Sequence, residues 1–201
     1  MKSTPIEAEA IVNRQIEWTD SWHKAPTPSQ QGEPWLAIER NHRMNFDVWH
    51  AEDEARRDDL GPVNVYNAKR MIDRFNQSRN DAIEQFDVWL LSQLPPVRQD
   101  APLHSETAGM IVDRLSILAL KLFHMRIEST RETADESHRK KCGQKCAVLE
   151  MQHKDLKECL QILFEEMAAG ARQFKLYRQF KMYNDPNLNP QLYRKPGTTN
   201  S

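Results

Sequence analysis

Residues 60–96, LGPVNVYNAKRMIDRFNQSRNDAIEQFDVWLLSQLPP, decide the fold of this chain. Gly61-Pro62 ends any preceding helix, because glycine suits the left-handed position after a helix and proline cannot continue one. Apolar residues then recur every three or four positions until Pro95-Pro96. This spacing is typical of a long amphipathic helix that starts near Asn64.

The connection before this helix is short, so we expect the helix to pack antiparallel against its predecessor. The predecessor is predicted from Pro34 to about Leu60. A first helix is predicted from a capping box at Thr4-Pro5-Ile6-Glu7, a fourth from Ser105 or Thr107, and a fifth from Cys142 to Tyr183. The fourth helix is apolar on most sides, which places it at the centre.

No alternating strand pattern of useful length appears, so the predicted fold is all-α. We expect a single up-and-down bundle of about five long helices, with no sheet, in one domain over residues 1–201. Residues 1–3 and 194–201 are predicted to be flexible ends. The long fifth helix suggests pairing into a homodimer.

The composition excludes several classes of protein. The chain has 28 basic and 29 acidic residues, so its net charge of −1 predicts no nucleic-acid partner. No run of about 18 apolar residues is present, which predicts no membrane span. Three cysteines and an N-terminus without an apolar stretch favour reduced thiols and a cytoplasmic location.

Polar residues replace the expected apolar ones on two predicted helices. Helical spacing along the core face of the second helix leads from Trp49 to Glu52, Asp53 and Arg56. On the third helix, Arg79 occupies a position in the apolar stripe. Folding the pair about Gly61-Pro62 brings two sets face to face: Asn45, Trp49, His50, Glu52 and Asp53 on one helix, and Asp73, Asn76, Arg79 and Asn80 on the other.

Two interpretations of this juxtaposition remain open. A buried guanidinium needs a carboxylate, so Arg79 would pair with Glu52 or Asp53 in a network that fixes helix register. Alternatively the groups form a site: Glu52, Asp53 and Asp73 would hold a divalent metal such as Mg²⁺, His50 would act as a base, and Arg56 and Arg79 would bind phosphate.

Other constellations carry weaker signals. Glu84 and Asp87 have the E-x-x-D spacing of helical nucleotide pyrophosphohydrolases, and His138, Cys142 and Cys146 are spaced for zinc on one helix face. Asp113 is interpreted as an internal partner for Arg114, Arg79 or an amide of the second helix.

Four blocks of sequence resemble a bacterial family known as domain of unknown function 4254. The resemblance covers about residues 35–193. Its first block, Asn45–Arg56, resembles the N-F-x-L-W-H-x-E-D-x-A-R signature of the family, and the other three are Lys69–Asp81, Thr107–Leu118 and Lys181–Pro186. Val63-Asn64-Val65 departs from the more acidic entry to the third helix that the family leads us to expect.

The resemblance implies a link to cell-envelope polysaccharide and glycosyltransferase functions, without a defined activity. We therefore carry two hypotheses. The first is a non-catalytic binding or accessory module in envelope polysaccharide assembly or glycosyl transfer, with an envelope-biosynthesis protein as partner. The second is a metal-dependent hydrolase or transferase acting on a phosphorylated nucleotide or sugar. In either case the binding residues would be Asn45, Trp49, Arg56, Asn76, Arg79 and Asn80.

Overall fold

A computed structural model describes residues 4–25, 32–98, 100–176, 178, 185 and 187–190. Five α-helices account for most of this part of the chain: α1 (Ala8–Lys24), α2 (Trp35–Glu54), α3 (Pro62–Gln93), α4 (Ala108–Thr130) and α5 (Glu136–Ala168), with a short 3-10 helix at Asp58–Leu60. No strand is present among these residues, so the predicted all-α class is confirmed.

Helices α2 and α3 form one extensive pair, and α4 and α5 form the other. Helix α4 contacts each of the other four α-helices, which confirms that it lies at the centre. Its fully buried side chains include Ile111, Leu115 and Leu120. On α1, Ile11, Trp18 and Trp22 are buried on the predicted stripe.

The turn between α2 and α3 lies close to its predicted place, but α2 ends at Glu54 rather than at Leu60. Acidic side chains crowd the last turn of α2, where the helix dipole disfavours negative charge. Gly61 takes a φ of 83°, and Pro62 is the first residue of α3. Asn64, the predicted cap, lies inside α3, and its side-chain amide donates to the carbonyl of Glu54.

The prediction for the end of α5 is wrong. The helix ends at Ala168, and Gly170 takes a φ of 71°. The Ala171 amide donates to the Glu166 carbonyl and the Gly170 amide to the Met167 carbonyl, which is the Schellman arrangement that stops a helix. The chain then runs alongside Leu103, with which Gln173 forms an isolated bridge.

The starts of α1 and α5 also differ from the prediction. Helix α1 begins at Ala8, and Thr4 bonds the side chain of Glu7 instead of capping a helix at Pro5. Helix α5 begins at Glu136, capped by Asp135, which accepts from the His138 amide at 2.8 Å. The predicted flexible ends, 1–3 and 194–201, lie outside the described residues. So do residues 177 and 179–183 of the predicted fifth helix.

A buried aspartate joins α3 to the start of α4. Asp87 accepts from the Gly109 amide at 2.7 Å, and Thr107 caps α4 by accepting from Met110. A Cβ atom at Gly109 would lie 2.7 Å from the Ile83 carbonyl oxygen, so only glycine allows this approach. Asp87 therefore acts as a structural cap at the start of α4, and in the described part of the chain the E-x-x-D spacing belongs to no group of three or more side chains arranged for a metal ion.

Candidate functional site

Asp113, at the centre of the bundle, gathers polar side chains from α2 and α3. It is 4% exposed. Its Oδ1 accepts from the Nδ2 atoms of Asn41 and Asn45, each at 2.9 Å. Arg79 makes a bidentate ion pair with it, through Nε and Nη2 at 2.8 Å each. Four donors therefore surround this buried carboxylate, and each compensates part of the hydration that the group loses on burial.

Arg79 thus forms its ion pair with Asp113, rather than with Glu52 or Asp53. The predicted pairing considered α2 and α3 alone, and it is wrong because α4 packs into their seam and presents its own carboxylate there. The interpretation of Asp113 as an internal partner is confirmed for Arg79 and for two amides of α2.

A chain of hydrogen bonds continues from Asn45 to α1. Asn45 also donates to Ser116 Oγ at 2.9 Å, and Ser116 lies 2.8 Å from Nδ1 of His42. The Nε2 atom of His42 lies 2.9 Å from Thr19 Oγ1, which donates its own proton to the Gln15 carbonyl. His42 must therefore donate through Nε2 and accept at Nδ1 from Ser116.

His42 is completely buried, and this burial lowers its pKa to about 3. The ring is therefore neutral near pH 7, in agreement with one donating and one accepting nitrogen. The buried network consequently fixes the side chains of Asn45 and Arg79 and adds no net charge to the core. Sequence reasoning missed Asn41, His42 and Ser116, although Asn41 lies one helical turn from Asn45 and Ser116 interrupts the apolar face of α4.

A cleft of about 350 Å³ opens in front of this network, between α2, α3 and α4. Arg79 lies at the boundary, with its side chain 25% exposed. The cleft brings together six residues that the sequence analysis selected, together with apolar side chains of α2 and α4: Asn45, Trp49, Glu52, Asp53, Arg56 and Arg79. Asn76 joins them indirectly, because its Oδ1 accepts from Arg79 Nη1 at 3.2 Å.

Three selected residues lie apart from the cleft. Asp73 is half-buried and pairs with Lys69 at 3.6 Å, and Asn80 is half-buried on α3 without lining the cleft. His50 faces a cluster of rings, with its centroid 5.4 Å from that of His23 and 6.3 Å from that of His124. Burial is the main cause that lowers the pKa of His50, and the nearby His23 is the second. Its proposed role as a base stays a prediction.

The carboxylates predicted to bind a metal are not gathered around one point. Glu52 pairs with Arg56 at 2.7 Å, while Asp73 pairs with Lys69 along α3. Within the described ranges, no group of three or more histidine, cysteine, aspartate or glutamate side chains is arranged to hold a metal ion. The predicted zinc set is likewise not assembled there: His138 bonds Glu128 at 2.9 Å and lies 3.4 Å from Cys142 Sγ.

Trp49 forms one wall of the cleft and stacks on His124, with ring centroids 4.5 Å apart and planes 1° from parallel. The half-buried indole is held in one orientation by this stacking. Its neighbours in the cleft are carboxylates and guanidinium groups, so an apolar surface stands beside donors and acceptors of both charges.

These features define an all-helical bundle with a polar cleft between its helices, supported by a buried hydrogen-bond network. No helix of the described segments has the length and apolar character to cross a bilayer. The chain belongs to the family described as Protein of unknown function (DUF4254), whose model matches residues 35–176. The match includes the first three blocks of the resemblance, and Lys181–Pro186 lies beyond it. No curated protein and no solved structure matches the chain.

Proposed function

We propose that this protein is a non-catalytic binding module that holds a glycosyl unit in the cleft between α2, α3 and α4. One observation carries the proposal: the Trp49 indole shares a cleft of about 350 Å³ with Glu52, Asp53 and Arg79. A sugar ring has a face of C–H groups that packs on an aromatic ring. Its hydroxyl groups both donate and accept, so they match carboxylates and a guanidinium. The volume is within the range of small-molecule sites.

Binding rather than catalysis is supported by the pairing of the charged groups of the cleft other than Asp53. Arg79 is neutralised by Asp113, and Glu52 by Arg56. Such paired groups orient a ligand through hydrogen bonds but supply no activated base or nucleophile. We further propose that the module acts in envelope polysaccharide assembly or glycosyl transfer, together with a protein partner of that machinery. This part of the proposal is based on the family resemblance.

The experiment is a calorimetric and thermal-melting titration with monosaccharides, sugar phosphates and nucleotide sugars. We expect one of these to bind, and at a hundred times its Kd to raise the melting temperature by about 5–10 °C. Asp53→Asn should weaken binding about tenfold, because it removes a charge-assisted hydrogen bond. Glu54→Gln is the matched control: Glu54 is the next residue and is also exposed, but does not line the cleft. Equal binding by both variants would contradict the proposal.

A metal-dependent hydrolase or transferase is the second candidate. It is favoured by one observation, that Glu52 and Asp53 share the cleft with Arg56 and Arg79. It requires that Mg²⁺ or Mn²⁺ shift the melting temperature and that a phosphorylated nucleotide or sugar be converted to product. Turnover that needs the metal and is lost in Asp53→Asn would select this candidate over the binding module.

A further inference from the structure

A second and larger hollow of about 810 Å³ borders Trp49 as well, between α4 and α5. Trp49 and its stacked partner His124 line it at one end. It is therefore a groove adjacent to the proposed sugar cleft, with one indole bordering both spaces. Its volume suits a single small molecule rather than a macromolecular surface.

Three lysines line this groove: Lys121 from α4, and Lys141 and Lys145 from α5. Among the residues that the structure describes, none of the three forms a hydrogen bond or an ion pair. Glu128 is the acidic lining residue, and its carboxylate already accepts from His138 at 2.9 Å and from Arg131 at 3.1 Å. The groove therefore presents uncompensated positive charge to whatever enters it.

Apolar side chains form one wall of the groove, and the amides of Gln144 and Gln152 also line it. Met125, Val148 and Leu149 line it together with the Trp49 indole, and Val148 is 48% exposed. A methionine and branched aliphatic side chains offer an adaptable apolar surface. Their exposure in a concave site marks a place where an apolar group is buried on binding.

We propose that this groove binds an anionic amphiphile, with a phosphate group held by the lysines and an alkyl or isoprenoid chain lying on Met125, Val148 and Leu149. The combination of free cations and an apolar wall selects against inorganic phosphate, which uses only the lysines, and against neutral detergents, which use only the wall.

Trp49 connects this proposal to the sugar cleft. A ligand whose sugar is attached through phosphate to an apolar chain would place its sugar in the cleft and its phosphate and chain in the groove. This extension to a lipid-linked sugar phosphate rests on the proposed function. The amphiphile site itself depends only on the groove between α4 and α5.

The experiment titrates the protein with hexyl, octyl and decyl phosphate below their micelle concentrations, with inorganic phosphate and decyl maltoside as comparisons. We expect Kd to fall roughly fourfold for each methylene added while the chain still fits the groove. Decyl phosphate should bind at least tenfold more tightly than decyl maltoside. Its affinity should decrease with added salt, because the contacts with the lysines are partly exposed.

Two pairs of variants locate the site. The double variant Lys141→Gln, Lys145→Gln should weaken the binding of decyl phosphate about tenfold. The double variant Lys140→Gln, Lys154→Gln is the control, because it removes the same charge from positions of α5 that do not line the groove. Val148→Asp should abolish binding. Met151→Asp is its matched control, because Met151 is also exposed on α5 but lies outside the groove.

Equal affinity of decyl phosphate for both double variants would overturn the proposal, as would a Kd independent of chain length. So would retention on anionic vesicles without binding of dissolved alkyl phosphates, since that result indicates a membrane surface as the ligand. Sugar titrations of the same variants separate the two proposals. If alkyl phosphates bind but no sugar does, the proposed sugar site is refuted and the proposed amphiphile site is supported. If a sugar binds but alkyl phosphates do not, only the amphiphile site is refuted.

Discussion

Replacing Asp113 with asparagine tests whether the buried ion pair holds the three helices together. The substitution keeps the shape of the side chain but removes its charge, and leaves the Arg79 guanidinium without its bidentate partner. It also sets an amide NH2 group beside Asn41 and Asn45, which both donate to Oδ1 in the native protein.

The expected cost follows from the exposure of the pair. Removing one partner of a fully buried ion pair costs about 3–5 kcal/mol. The Asp113 side chain is 6% exposed, but that of Arg79 is 25% exposed, so water screens part of the unpaired charge. We therefore expect the free energy of unfolding to fall by about 3 kcal/mol, and the melting temperature by about 6–12 °C for a chain of this length.

Urea denaturation, followed by circular dichroism, measures this change. Glu52→Gln is the control, because it breaks an exposed pair with Arg56 and should cost less than about 1 kcal/mol. Arg79→Met and the double variant complete a thermodynamic cycle, in which we expect a coupling energy of at least about 1.5 kcal/mol. A loss below about 1 kcal/mol in Asp113→Asn, or a coupling near zero, would refute the view that this pair fixes the helices.

Four further variants concern two helical glycines, a buried aspartate and a helix cap. Gly109→Ala should destabilise the protein by about 2–3 kcal/mol by forcing α4 away from α3. Gly143→Ala, at a helical position with open space, should stabilise it by about 0.5–1 kcal/mol, and chemical denaturation distinguishes the two. Burial raises the pKa of Asp87 to about 6, so between pH 3.8 and 6 the folded state holds a proton that the unfolded state releases. This contribution to stability is present at low pH and is lost as the pH rises through 6. Denaturation at a series of pH values should therefore show Asp87→Asn gaining about 1.4 kcal/mol per pH unit relative to wild type from pH 4 to 6, and parallel curves would contradict the shift. Asp135→Ala should cost about 1 kcal/mol through the lost cap of α5, measured as a lower urea midpoint, whereas an unchanged midpoint would show that the cap is dispensable.

The sequence by itself determined the helices and most of the residues that line the cleft. Apolar spacing is a local property of a helix, so the stripe on α3 and the turn at Gly61 could be predicted without knowing the neighbours. The polar residues of α2 were visible for the same reason, because they continue an apolar face. Their position on one side of α2 made a shared cleft predictable.

Only the tertiary structure decided which charges meet. The sequence required a carboxylate for Arg79, but several were within reach, and the choice of Asp113 depends on how deeply α4 packs between α2 and α3. Asp73 pairs with Lys69 on its own helix and does not line the cleft that contains Glu52. The groove beside Trp49 forms where α4 and α5 pair, so its lysines gave no signal in either helix alone. Periodicity along one helix carries no information about the distance to another, and partner selection between charges depends on that distance.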